Sequence, residues 1–214
     1  GLNFSHYQNE VTSIKGGSII TEIEGGEIIS RPGDPVNSFY GYVFEGVLKD
    51  QAEADLAGLV NKVGIPFSAG DARFRDISGP EGIPDKVINE YDKTIIGSPN
   101  PDLFGGFTLA ATYKRWTLST LMQFVIGNDI YNYVRYQTER MTGLQNQSKS
   151  VLNRWLFEGQ ETDIPRAAWN DPLGNSAFSS RWIEDGSYLR LKNITLAYTV
   201  SKSFLFFQNA RIFV

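Results

Sequence analysis

The stretch from Leu103 to Ile126 restricts the fold more than any other part of the chain. Leu103, Gly105, Phe107, Leu109, Ala111 and Tyr113 share one parity, and Gly106, Thr108, Ala110, Thr112 and Lys114 the other. After a tight turn at Lys114-Arg115 the alternation resumes, with Trp116, Leu118, Met122, Phe124 and Ile126 against Thr117, Ser119 and Gln123. A period of two is the signature of a strand, so the segment reads as a hairpin. Each arm exceeds the ~5–6 residues of an average strand and meets the ~9–11 residues that a tilted bilayer-spanning strand needs. One face is apolar from end to end and the other small and polar. Tyr113, Trp116 and Phe124 stand near the ends, where a membrane barrel carries its aromatic girdles. Two architectures accommodate this pattern. In a transmembrane barrel wall, Leu103, Phe107, Leu109, Trp116, Leu118, Met122 and Phe124 face lipid. In a soluble sandwich they meet a second sheet. The alternation alone does not separate the two; the exposure of these side chains in the folded chain does.

Composition narrows the function classes. No run of roughly 18 apolar residues exists, which excludes a transmembrane helix. A barrel strand averages its hydropathy away, so the mean hydropathy of −0.25 leaves a membrane barrel open. The 13% aromatic content and 21 glycines suit strands and turns. Absence of cysteine removes disulfides, a cysteine zinc site and a cysteine nucleophile. The single histidine, His6, lies on a polar strand face, reads as solvated, and leaves little for histidine catalysis or a multi-histidine metal site. A net charge of −4 without a basic stripe gives nucleic acid no footprint. Ser179-Ser180 has no general base nearby, and Glu184-Asp185 before Gly186 reads as a turn. The expectation is therefore no enzyme and no cofactor.

Along the chain, residues 2–11 read as a polar strand. Residues 12–35 read as a loop holding a ribbon built on Ile19, Ile20, Ile28 and Ile29, and residues 36–48 as one alternating strand. Residues 50–60 read as a helix capped by Asp50, with Gly58 near its end. Residues 66–101 are turn-rich, and 128–179 form a long connection with a helix over 146–158. In 181–200, Leu189 and Leu191 share one parity and Ile194, Leu196 and Tyr198 the other; the slip at Lys192-Asn193 predicts a bulge or a bend. Residues 204–207 and 210–214 read as a further strand pair. Both termini read as cut from something longer. In a barrel, Lys114-Arg115 would be a periplasmic turn and 128–179 an extracellular loop. Ligand candidates are aromatic. Trp155, Trp169 and Trp182 are candidates for stacking on sugar rings; Trp169 lies among Pro and Asn residues, whereas Trp155 sits on a helical apolar stripe that favours packing. Tyr131, Tyr133 and Tyr136 fall just past a strand end, at the mouth of a lumen or at the membrane interface.

The run Arg181-Trp182-Ile183-Glu184-Asp185-Gly186-Ser187-Tyr188-Leu189-Arg190-Leu191, continuing through Asn193-Ile194-Thr195-Leu196-Ala197-Tyr198, resembles a late block of the SusC/RagA family of TonB-dependent outer-membrane transporters. In the same chain order, Ser38-Phe39-Tyr40-Gly41-Tyr42, Gly70-Asp71-Ala72-Arg73-Phe74-Arg75-Asp76, Asp92–Pro101 and Gly127–Asn132 resemble further family blocks. The resemblance implies an all-β fold, a portion of a large 22-stranded antiparallel transmembrane β-barrel with long extracellular loops containing short helices. Residues 1–214 would belong to that single barrel domain, with the plug domain and the last strands outside this chain. It implies TonB-dependent uptake of oligosaccharides or peptides across the outer membrane of a Gram-negative bacterium. The partners implied are a SusD-like surface lipoprotein, TonB acting through the plug, and outer-membrane lipid. Many family members carry a calcium-like stretch after the second of these blocks. Here Asp76, Ser78, Glu81 and Asp85 remain as oxygen donors, but Pro80 occupies a ligand position, so a polar turn is the better reading.

Overall fold

The computed structural model describes residues 1–200 and 210–214, so the strand expected over 204–207 lies outside the described residues. The chain forms two compact units. Residues 1–8, 100–128 and 185–214 make one, and residues 9–99 and 129–184 the other.

The first unit is one antiparallel sheet of five strands, in the spatial order Leu2–His6, Leu103–Tyr113, Trp116–Ile126, Tyr188–Val200, Ala210–Phe213. The expected hairpin forms, with its turn at Lys114-Arg115 and Lys114 in the left-handed region at φ 57°. Its arms are 11 residues each and the third strand has 13. At ~3.4 Å per residue and ~45° tilt, 11 residues span roughly 26 Å, close to the ~25 Å apolar band of an outer-membrane barrel.

The parity slip is a bulge. Leu121 pairs with Asn193 and Met122 with Leu191, which leaves Lys192 unpaired between them. The extra residue moves Leu189 and Leu191 onto the face that Ile194, Leu196 and Tyr198 already occupy. On that face they meet Phe124, Met122, Thr120, Leu118 and Trp116 of the neighbouring strand. Leu2 and Phe4, opposite Phe107 and Gly105, and Ile212, opposite Tyr198, extend the same face. The opposite face carries Asn3, Thr108, Thr112, Thr117, Ser119, Gln123, Asn193 and Thr195, with Phe104, Leu121 and Val125 among them.

The second unit holds the buried core. Leu48, Ala54, Leu59, Phe67, Ala72, Phe74 and Ile88 form one cluster, and Met141, Val151 and Ile164 a smaller one. Complete burial of a side chain such as Leu48 or Phe74 contributes about 1.5–3 kcal/mol, as an upper estimate. A four-stranded sheet runs in the order Ile19–Ile23, Gly26–Ser30, Ser38–Gly41, Thr94–Gly97. The expected helix is Gln51–Ala57, with Asp50 accepting from the Glu53 N–H and Gly58 closing it in a left-handed cap.

Three expectations are corrected. The strand read over 2–11 is Leu2–His6. Residues 36–48 are two strands, Ser38–Gly41 and Phe44–Val47, in different sheets. The break falls where Tyr42 N–H donates to Phe178 O at 3.0 Å and Tyr42 O accepts from Ser180 N–H at 2.9 Å, a partner 136 or more residues away in sequence that alternation cannot reveal. Residues 146–158 form only a short 3₁₀ turn, Lys149–Asn153, which Ser148 caps. Beyond it the Trp155 N–H donates to Ile164 O at 2.9 Å and the indole to Lys49 O at 2.9 Å, and both bonds pull the chain out of a helix.

Candidate functional site

The apolar face of the five-stranded sheet is uncovered by any second sheet among the described residues of its unit. Leu109 is 59% exposed, Trp116 49% and Leu118 39%; Leu103, Phe107, Met122 and Phe124 are half-buried, and none of the seven is buried. Trp116 and Tyr198 pack with ring centroids 4.9 Å apart next to the hairpin turn. A sandwich requires these side chains to be covered; the geometry leaves them facing outward.

In the second unit, called the loop unit from here on, the helix Tyr133–Glu139 begins at Asn132, whose side chain accepts from the Arg135 N–H. This start brings the three tyrosines together. Tyr131 lies 5.9 Å from Tyr133 and 6.1 Å from Tyr136, and Tyr133 stacks on Tyr136 at 6.2 Å. Phe178 meets Tyr131 edge-on at 5.0 Å, and Trp182 meets Tyr136 at 5.4 Å. The tip of the ribbon is seated on this cluster. A Cβ on Gly25 would stand 2.6 Å from the Tyr136 ring, and one on Gly26 would stand 2.5 Å from Phe178. The buried Tyr131 hydroxyl has no hydrogen-bond partner among the described residues. Burial, then the neighbouring Tyr136 and Tyr133, push its ionisation well above the ordinary phenol range.

The tryptophans take different places. Trp155 is half-buried and covers Gly70, where a Cβ would stand 2.4 Å from its ring. Trp169 is 63% exposed, beside Asn170 and Asp171, which are both in the left-handed region. Trp182 is fully buried and donates to Ala177 O at 3.0 Å, so no ligand reaches it. The structure therefore gathers Tyr131, Tyr133 and Tyr136 but not Trp155 or Trp169 with them.

In the turn-rich stretch, carboxylates organise the backbone directly. Asp76 accepts from the Asp85 and Lys86 N–H groups, Asp85 from the Val87 N–H, and the fully buried Asp92 from those of Ile77, Ser78 and Asn89. Ser78 donates to Gly79 O, and Glu81 is exposed. Among the described residues, no group of three or more His, Asp or Glu side chains is gathered to hold a metal ion.

Two charged centres escaped the sequence reading. Fully buried Asp71 takes a two-pronged ion pair from Arg166, at 2.8 and 2.9 Å, and accepts from Asn175 and the Ser68 N–H. Glu139 accepts from Arg135 at 3.1 Å and from Ser150 at 2.6 Å, and faces the buried Arg181 at 3.6 Å. The Arg181 guanidinium lies 4.3 Å over the Trp182 ring. Burial lowers its pKa to about 10 despite Glu139. Asp71 and Arg181 stand in family-like blocks, which was the available signal, but their burial was not legible.

The fold these features define is mostly β-sheet with few helices, its longest strands exposing a continuous apolar face. No protein-family model matches the chain. Among curated proteins it is similar to TonB-dependent receptor P3 of Formosa agariphila, 29% identical over 95% of this chain and 20% of that protein. It is also similar to TonB-dependent receptor P26 of the same organism, 34% identical over 78% of this chain and 16% of that protein. Among solved structures it is similar to the RagAB peptide transporter, at 25% identity and a TM-score of 0.73, covering 99% of this chain and 22% of that one. The RagAB peptide importer in its open-open state gives 24% identity and a TM-score of 0.72 over 99% and 21%. The SusC/RagA resemblance thus holds: the chain's curated homologues are TonB-dependent receptors, matched along most of its length. The chain spans about a fifth of the length of these relatives.

Proposed function

We propose that this chain is barrel wall and loop of a TonB-dependent outer-membrane transporter of the SusC/RagA type, acting in nutrient uptake and not as an enzyme. The observation that carries this reading is the apolar face that runs across all five long-sheet strands and stays uncovered. Leu103, Phe107, Leu109, Trp116, Leu118, Met122 and Phe124 contact lipid, and the threonine-rich face looks into the lumen. The two compact units belong to one 22-stranded barrel domain, which the rest of the protein closes. The long connection 128–179, with Tyr131, Tyr133, Tyr136, Trp155 and Trp169, is an extracellular loop that meets substrate and a SusD-like surface lipoprotein. A plug outside this chain receives the pull of TonB. Among the two substrate classes, the likeness to RagAB structures favours peptides over oligosaccharides. The reading of Asp76, Ser78, Glu81 and Asp85 as a calcium site is not favoured, because the Asp76 and Asp85 carboxylates already accept from backbone N–H groups and the Ser78 hydroxyl donates to Gly79 O. The test is membrane fractionation of cells expressing the full-length receptor, then electrophoresis with and without boiling. Outer-membrane recovery with a heat-dependent mobility shift is the expected result. Soluble recovery without a shift sinks the reading in favour of a soluble glycan-binding sandwich.

A further inference from the structure

A cleft of about 350 Å³ opens in the loop unit beside the ribbon Ile19–Ser30, walled by Glu22, Glu27, Tyr40, Tyr42, Lys93 and Phe178. We infer that this cleft binds the ammonium or guanidinium group of a basic oligopeptide, whose backbone lies along the free edge of Ile19–Ile23. The inference deepens the import reading by naming a substrate class.

Charge is the first argument. Glu22 and Glu27 are direct cross-strand partners and both line the cleft. Like charges in that position destabilise a ribbon unless a cation lies between them. Lys93 answers only part of this. Its ammonium is held by Glu27 at 2.7 Å and Glu90 at 2.6 Å, and stands 5.7 Å over the Tyr42 ring. The carboxylate of Glu22 keeps no partner among the described residues. The cleft wall thus carries two carboxylates, Glu22 and Glu27, against the one ammonium of Lys93, and the excess is negative.

The walls themselves are the second argument. Lys93 already demonstrates what this cleft does with a cation: carboxylates hold the charge while an aromatic face lies beneath it. Tyr40 and Phe178 add further rings to the wall of the same cleft. The Tyr42 hydroxyl, pushed up to about 12 by burial and then by Glu90, stays protonated and presents lone pairs to an N–H donor. The wall is fixed, because Gly25 and Gly26 are seated on Tyr136 and Phe178.

The edge selects a peptide. Ile19–Ile23 is the outermost strand of its four-stranded sheet, so its outward N–H and C=O groups have no ladder partner among the described residues. An extended peptide can pair there by strand addition, which a sugar cannot.

The experiment uses the full-length receptor in detergent and fluorescence anisotropy with three probes: a labelled heptapeptide of alternating lysine and alanine, its glutamate counterpart, and maltoheptaose as competitor. The lysine peptide should bind roughly tenfold or more tighter than the glutamate peptide at low salt and weaken as salt rises. Glu22→Gln should weaken it by about threefold and Glu22→Lys by about tenfold or more. Equal binding of both peptides, indifference to the Glu22 substitutions, or displacement by maltoheptaose overturns the inference. A receptor that shows the heat-dependent shift yet fails here loses only this site. A receptor without the shift loses the import reading on separate grounds.

Discussion

Asp71 shows how much a single buried side chain organises. It is fully buried, and it satisfies the Ser68 N–H, Asn175 and both prongs of Arg166, joining residues some hundred positions apart. Arg166 is 40% exposed on its side chain, which screens the pair on that side. Replacing Asp71 by alanine leaves Asn175 and the Ser68 N–H without their acceptor. A loss of about 2–4 kcal/mol from the loop unit is expected, read as faster hydrogen exchange at residues 66–74 and 166–176 of the full-length receptor. Unchanged exchange there would contradict the hub role. Gly26 makes a different point. The position faces the Phe178 ring so closely that a methyl group meets it at 2.5 Å. Gly26→Ala should cost about 1–3 kcal/mol by displacing the ribbon tip, with a weaker near-ultraviolet signal from the tyrosine cluster as the readout.

The element that decides the fold's meaning is the strand Tyr188–Val200. Its bulge at Lys192 aligns two apolar runs of opposite parity on one face, next to Trp116 through Phe124. Deletion of Lys192 removes the extra residue and puts Leu189 and Leu191 on the polar face, or the later run there instead. Outer-membrane yield of the full-length receptor should collapse, whereas Lys192→Ala, which keeps the count, should leave it intact. The hairpin gives a matched pair of tests. Leu118→Arg places a cation on the apolar face at a cost of about 2–4 kcal/mol if it lies near the bilayer midplane. Thr117→Arg points to the other face and should be tolerated. Heat-resistant barrel recovered from membranes distinguishes them; equal loss in both would argue against lipid on one face and water on the other.

At the scale of the molecule, the chain divides its tasks between two units of opposite character. The sheet unit buries almost nothing among its described residues, Ala197 being its one fully buried apolar side chain, while the loop unit carries both hydrophobic clusters. A sheet with one apolar and one polar face is stable where lipid replaces a second layer and further strands cover its edges. Leu2–His6 and Ala210–Phe213 are those edges here. The 214-residue chain produced alone should therefore aggregate in water and dissolve only with detergent or denaturant. A monodisperse soluble monomer would point instead to an apolar face covered from within.

Local physics made part of this legible from sequence. The hairpin, the helix capped by Asp50, the ribbon around Ile19 and Ile28 and the bulge at Lys192 each follow from neighbours a few residues apart, whose parity or capping chemistry is written in order. The candidate tyrosines lie within six positions, so their meeting followed once a helix began at Asn132. Tertiary structure alone decided the rest. Tyr42 breaks its strand because Phe178 and Ser180 compete for its backbone. Trp155 leaves its helix because Lys49 and Ile164 bond to it. Glu22, Lys93 and Phe178 share one cleft although 156 positions separate the first from the last. Each of these depends on a hydrogen bond or a ring contact whose partner is distant in the chain, and alternation carries no information about which distant segment arrives.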